Sequence, residues 1–254
     1  MRGEIANTLV TIPLTPIHRL TAKWMPSRRP LPIALIDFRG ATIAQSATSL
    51  GTEHCVSREQ NRLQLRDDPR WRRLHDRSWV CSRCRTIHEG VFDIAYDRPA
   101  LWSGDDEASP NSAVATSRSI LSEDFCVIKD EHYFVRCVLE IPILGVDDER
   151  FGFGVWSTLS RQNFIVYMDT FDSGDQGKLG PWFGWFSNRL RGYPDTANLT
   201  CQVHPRDGRQ RPSIELEPTG HPLAIEQRNG ITFDRLLDIY AAHDHDLRPV
   251  LADA

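Results

Sequence analysis

His132-Tyr133-Phe134-Val135-Arg136-Cys137-Val138-Leu139-Glu140-Ile141-Pro142-Ile143-Leu144 is followed by Gly145-Val146-Asp147-Asp148-Glu149-Arg150 and then by Phe151-Gly152-Phe153-Gly154-Val155-Trp156-Ser157-Thr158. The first piece is dense in β-branched and aromatic residues, which suit a pleated, half-buried surface. Tyr133, Val135, Cys137, Leu139 and Ile141 alternate with His132, Phe134, Arg136, Val138 and Glu140. A period of two sends the first set to one face and the second, more polar set to the other, which predicts a long, largely buried strand. The polar run at 145–150 is turn chemistry, and 151–158 returns as a strand, so the two pieces read as one hairpin.

Further strands are predicted at Phe125–Ile128, Leu199–His204 and Ser213–Glu217. Ser160 is placed to cap a helix whose apolar positions are Phe164, Ile165, Met168 and Phe171, with Leu159 as its staple. Pro181–Leu190 reads as a short helix with Trp182, Trp185 and Phe186 on one side. Thr232 caps a last helix with Phe233, Leu236, Leu237, Tyr240 and Ala241 along its stripe. Strands with helices between and after them imply an α+β fold. The expectation is an antiparallel sheet of about five strands with helices packed on it, preceded by a Cys-x-x-Cys knuckle.

Upstream of residue 79 the signal fades. Short apolar pieces at 8–14 and 31–38 are broken by Pro13, Pro16, Pro26, Pro30 and Pro32, and no period persists. Arginines at 58, 62, 66, 70, 72, 73 and 77 surround Leu63, Leu65, Trp71 and Leu74 as a basic helix would, the pattern of an arm for nucleic acid or an acidic partner. The expectation here is nevertheless a disordered or misassigned extension over 1–78, one globular domain over 79–246, and a tail over 247–254.

Residues 1–78 carry 13 Lys and Arg against 7 Asp and Glu, and the remainder carries 17 against 27. An acidic domain repels phosphate and is a poor general binder of nucleic acid. No run of about 18 apolar residues marks a membrane span. The first residues make a poor signal peptide, since Glu4 is acidic and Pro13, Pro16 and His18 interrupt the apolar stretch. A cytoplasmic protein is expected, in which the six cysteines are thiols or metal ligands.

Several blocks occur in a recognisable order. They include Trp79-Val80-Cys81-Ser82-Arg83-Cys84 with His88-Glu89-Gly90, Phe125-Cys126-Val127-Ile128, and Tyr133-Phe134-Val135-Arg136 with Glu140-Ile141-Pro142. Phe153-Gly154-Val155-Trp156, Phe183-Gly184-Trp185-Phe186-Ser187-Asn188, Tyr193-Pro194-Asp195-Thr196, Arg211-Pro212-Ser213-Ile214-Glu215-Leu216 and His221-Pro222-Leu223-Ala224-Ile225-Glu226-Gln227 follow. In this order they resemble the bacterial domain-of-unknown-function family 2199 over about residues 79–246. The resemblance implies a small bacterial protein that begins near the Cys-x-x-Cys, and it implies no activity. The family tends to have Gly where this chain has Arg85 and where it has Cys137. The first departure bears on the turn of the knuckle, where Gly serves for its free backbone.

Cys81 and Cys84 can grip one edge of a tetrahedral metal, and His88 is a third candidate ligand for zinc. The fourth ligand is open, with His204 and Cys126 as candidates and Cys201 and His221 behind them. The alternatives for the two thiols are a redox pair or a tight turn without a ligand. His221 and Glu226 form a candidate acid–base pair, with Arg136 as a third member of a hydrolase-type pocket, against a loop held by backbone hydrogen bonds. Glu215 and Glu217 share a strand face. The aromatic run at 182–186 beside Arg189 and Arg191 suits base stacking or, more commonly, a core. Phosphate-loop, nucleophile-elbow and metalloprotease motifs are missing. The leading expectation is a small binding or regulatory module with a protein partner and a zinc knuckle, leaning away from an enzyme.

Overall fold

The computed structural model describes residues 10–13, 65–77, 79–103 and 112–252. The apolar piece at 31–38 and the arginines at 58 and 62 lie outside them. Among the described residues no helix is long and apolar enough to cross a membrane.

The hairpin forms as its alternation requires. Strands β6 (His132–Pro142) and β7 (Arg150–Leu159) pair in antiparallel register from Tyr133↔Leu159 to Pro142↔Arg150. Val135, Cys137, Leu139 and Ile141 face the main core with Phe151, Phe153 and Val155. Phe134 and Trp156 turn to the opposite face and join a smaller cluster with Leu121, Cys126 and Ile128. Gly152 and Gly154 leave room on that face for β2 (Ile94–Ala95), which pairs parallel to β7. A Cβ on Gly152 would stand 2.7 Å from the Asp93 carboxylate, which instead accepts the Gly152 amide.

The sheet departs from the expectation in size and in sense. It has ten strands among the described residues and is mixed. The free edge of β6 is divided between β5 (Phe125–Ile128), antiparallel along its first half, and β10 (Ser213–Leu216), which meets it parallel at Val138. A parallel partner requires a long crossover, supplied here by the whole stretch between β7 and β10. On one side β5 continues through β4 (Ile120–Ser122) and β3 (Ser112–Ala115) to β1 (Val10–Pro13). These pieces are too short to show a period of their own. On the other side β10 continues through β9 (Thr200–His204) to β8 (Trp182–Trp185).

The stretch read as a helix at 181–190 is therefore a strand over its first half. Trp182 and Gly184 face inward, Phe183 and Trp185 outward. Helical spacing of the aromatics was coincidental. Gly184 weakens a helix, and the partner β9 supplies the backbone hydrogen bonds. Just past β8, Phe186 bridges to Ser157, and the Ser187 amide donates to the Trp156 carbonyl at 2.8 Å. The path β7–β6–β10–β9–β8 thus returns to β7 and closes a five-stranded circuit around Cys137, Val155, Cys201, Val203 and Ile214, all buried.

Helix α1 (Pro69–Leu74) is capped by Asp68, and helix α2 (Arg161–Phe171) by Ser160. Helix α3 (Pro222–Asn229) is capped by His221 and helix α4 (Phe233–Ala242) by Thr232, with α5 (Arg248–Ala252) last. The packed unit extends past both expected boundaries, at 79 and at 246. Trp71 and Leu74 are buried, Trp71 meets Phe233 edge-on at 5.2 Å, and Leu247 and Leu251 close the core beside α1. The basic segment forms a helix around Trp71 and Leu74, as its pattern allowed, and those two side chains anchor it in the core where a disordered extension was the leading expectation.

Candidate metal centre

Cys81 to Thr86 forms a tight loop in which the Cys81 amide donates to the Thr86 carbonyl at 2.9 Å and the Arg85 amide to the Cys81 carbonyl at 3.0 Å. Arg85 sits at φ 60, the left-handed region that glycine adopts without a Cβ penalty. The arginine accepts that geometry and carries its cost. Arg85→Gly is expected to raise stability by about 0.5–1 kcal/mol, read as an upward shift of a few degrees in Tm.

The loop turns the two sulfurs toward His88. Cys84 Sγ lies 3.0 Å from His88 Nε2 and 2.8 Å from the Thr86 hydroxyl. His88 is held by a column of rings. It stacks on Phe92 at 3.9 Å and 17°, and Phe92 stacks on Tyr240 at 4.2 Å and 11°. The Tyr240 hydroxyl donates to the Phe92 carbonyl at 2.8 Å and accepts from the Phe92 amide at 3.0 Å. A buried residue of α4 thereby fixes the segment that carries His88.

The same helix delivers a fourth group. Beyond its end, Asp244 takes φ 66 and is held by two Arg191 hydrogen bonds of 2.8 Å, while the His245 amide donates to the Tyr240 carbonyl at 2.9 Å. His243 is occupied by the Ile239 carbonyl and the Tyr96 hydroxyl. These contacts turn His245 toward the knuckle, with Nδ1 3.4 Å from Cys81 Sγ. The ligand atoms of Cys81, Cys84, His88 and His245 all lie within 4.8 Å of one another. A tetrahedral zinc spaces two sulfurs and two nitrogens about 3.3–3.8 Å apart, so loading the cluster calls for small side-chain adjustments, the Cys84–His88 pair opening from 3.0 Å and the wider pairs drawing in from up to 4.8 Å.

The electrostatics suit a cation. Burial, and then His245, holds His88 below its ordinary pKa. Burial, and then Arg83, does the same for His245. Both imidazoles are therefore kept in the neutral form that ligates. Burial pulls the Cys84 thiol upward, but hydrogen bonds from Thr86 and Cys81 outweigh it and bring its pKa down. Cys81 is buried and Cys84 is exposed, so the cluster opens to solvent on one side.

The depressed histidines have a consequence for the metal-free chain. Burial also lowers His243. A base with a lower pKa in the folded state leaves the unfolded chain holding more protons. The stability it contributes is complete above the unfolded value of about 6.5 and is lost as pH falls below it. The urea midpoint of the chelator-treated chain is expected to fall between pH 7.5 and 5.5, a window above the ordinary carboxylate range. A flat midpoint would refute this.

The other candidates lie elsewhere. His204 faces outward on β9, 3.5 Å from Glu215. Cys126 is buried in the smaller cluster, where burial raises its thiol pKa strongly. Cys201 lies inside the circuit beside the Ser157 hydroxyl, its pKa pushed up to about 11 by burial. None of the three belongs to the cluster. His221 caps α3 by accepting the Leu223 amide at 3.1 Å. Glu226 is taken by the Tyr193 hydroxyl and by Arg235 Nε. Arg136 reaches Asp97 at 3.3 Å and the Glu123 carbonyl at 3.4 Å, on the face of β6 that carries Phe134. Among the described residues each of the three is engaged by a different partner. Glu215 pairs with His204 and Glu217 with Gln202.

His245 escaped the sequence reading. Its only local mark is a His-x-His pair just after α4, 164 residues from Cys81.

A family model described as "uncharacterized protein conserved in bacteria" (DUF2199) matches residues 80–231. No curated protein and no solved structure matches the chain. The knuckle and both strands of the central hairpin fall inside the matched range, and His245 falls outside it. With more than half of its length covered by that match, the chain belongs to the DUF2199 family of uncharacterised bacterial proteins.

Proposed function

We propose that this chain is a binding module whose fold is closed by one structural zinc ion on Cys81, Cys84, His88 and His245. The observation that carries the reading is the convergence of four ligand atoms within 4.8 Å, drawn from a loop at 81–88 and from the turn after α4. Two thiolates and two imidazoles are a donor set that zinc favours. Four protein ligands leave no open position for a substrate, which is the pattern of a structural site. The ion would tie the start of the packed unit to its end.

A hydrolase-type reading has less support, because His221, Glu226 and Arg136 are each committed to a separate local contact. A thiol-redox reading would draw on the exposed Cys84 and its lowered pKa, but it leaves the convergence of two histidines on both sulfurs without a role. The test is elemental analysis of the full chain purified without chelator, beside His245→Ala. About one zinc per chain that falls to near zero in the variant is the expected result. A wild-type chain that takes up no metal when dialysed against zinc and then freed of excess would overturn the proposal.

A further inference from the structure

A second concavity lies away from the metal cluster, where β8 runs against the end of β7. It has a volume of about 490 Å³, within the usual range for small-molecule sites of about 300–1,000 Å³. Phe134 forms part of its lining, and Trp185 and Leu101 are walls that stand 44% and 52% exposed. Trp185 is fixed from behind, since its amide donates to the Thr158 hydroxyl at 2.9 Å and its carbonyl accepts from the Ser187 hydroxyl at 2.9 Å. These bonds hold the backbone beneath the wall, and a large ring is left facing solvent at a hydrophobic cost of its own.

Charge decides what the cleft suits. From residue 79 onward the chain carries 27 acidic against 17 basic residues. Yet among the described residues the lining of this cleft holds Arg189 and His132 and no carboxylate. Among the described residues Arg189 pairs with Asp195 at 3.2 Å, and their side chains are 64% and 62% exposed. A pair so exposed contributes little and exchanges readily. A guanidinium and an indole ring lining one cleft match a ligand with a flat apolar body and a terminal carboxylate, which arginine can take in a two-point contact.

We propose that this cleft binds a small aromatic carboxylate, its ring against Trp185 and its carboxylate on Arg189 in place of Asp195. The site is independent of the zinc proposal, and the two can fail separately. The test uses saturation-transfer NMR and titration with the full chain. The probes are benzoate, cinnamate, indole-3-acetate and 2-naphthoate, each beside its primary amide. At least one carboxylate is expected to bind about tenfold more tightly than its amide, as one charge-assisted contact implies. Arg189→Ala should remove that preference. Asp195→Asn, which keeps the side-chain oxygen that accepts the Ala197 amide, should tighten binding several-fold by releasing Arg189. Zinc content measured on the same samples should stay at the wild-type level, which separates loss of the cleft from loss of the metal. No binding by any of the four carboxylates, equal binding of acid and amide, or an unchanged preference in folded Arg189→Ala would each overturn the proposal.

Discussion

Replacing His245 with alanine is expected to release the zinc and to lower Tm by roughly 6–16 °C, with Cys81→Ser/Cys84→Ser at least as damaging. The magnitude follows from linkage. An ion that binds only the folded chain stabilises it by about 2.7 kcal/mol at one hundred times Kd and about 4.1 kcal/mol at one thousand times Kd. In a domain of this size each kcal/mol moves Tm by roughly 2–4 °C. The main hydrophobic cluster is drawn largely from the sheet and the helices rather than from the knuckle, so the variants should remain folded at room temperature. Small zinc fingers differ in this, because they unfold outright without the ion. The effect should be local first. Hydrogen exchange should quicken in residues 79–92 and 243–252, the two segments that the ion would join. A chelator should reproduce the loss in the wild-type chain and add nothing in His245→Ala. If His245→Ala keeps both its zinc and its Tm, then His245 is no ligand and the tetrad is an accident of packing.

Gly184→Ala is expected to cost about 3 kcal/mol, at the upper end of what overpacking a full site brings. A Cβ at this position would stand 2.4 Å from the Ser157 hydroxyl oxygen and 2.6 Å from the Thr158 carbonyl. The hydroxyl can rotate away, but the carbonyl is backbone and belongs to β7. To admit the methyl group, β8 must move off β7, and this opens the seam where Phe186 and Ser187 close the strand circuit. Gly220→Ala is the control, since nothing lies within 4 Å of the added carbon, and it should be neutral or slightly stabilising. Urea denaturation of the two variants checks the pair. Equal midpoints would mean that β8 is not held against β7 and that the circuit is open in solution.

Much of the architecture is legible residue by residue, and the reasons are local. The hairpin at 132–158 was readable because alternation at period two is written into the side chains that bury it. The caps Ser160 and Thr232 were readable because a hydroxyl that accepts the amide three residues on needs only neighbouring chain. The knuckle was readable because two cysteines three residues apart sit on one turn. Trp182, Trp185 and Phe186 were misread for the opposite reason. Their spacing fits a helix, and only pairing with β9 and the tight approach to Ser157 make them a strand. The parallel pairing of β6 with β10 left no mark in either segment, since strand sense is not encoded in alternation.

The candidate site divides along the same line. By itself the sequence determined the family, through blocks in a fixed order along the chain, and the central hairpin, through its alternation, and it named three of the four proposed metal ligands, which sit close together in one loop. Only the tertiary structure decided the mixed, ten-stranded sheet, the burial of α1 and α5, the cleft at Trp185 and the arrival of His245. Those features join residues tens to more than a hundred positions apart, brought together by burial of apolar surface, and burial is a property of the folded whole that no short stretch of chain displays.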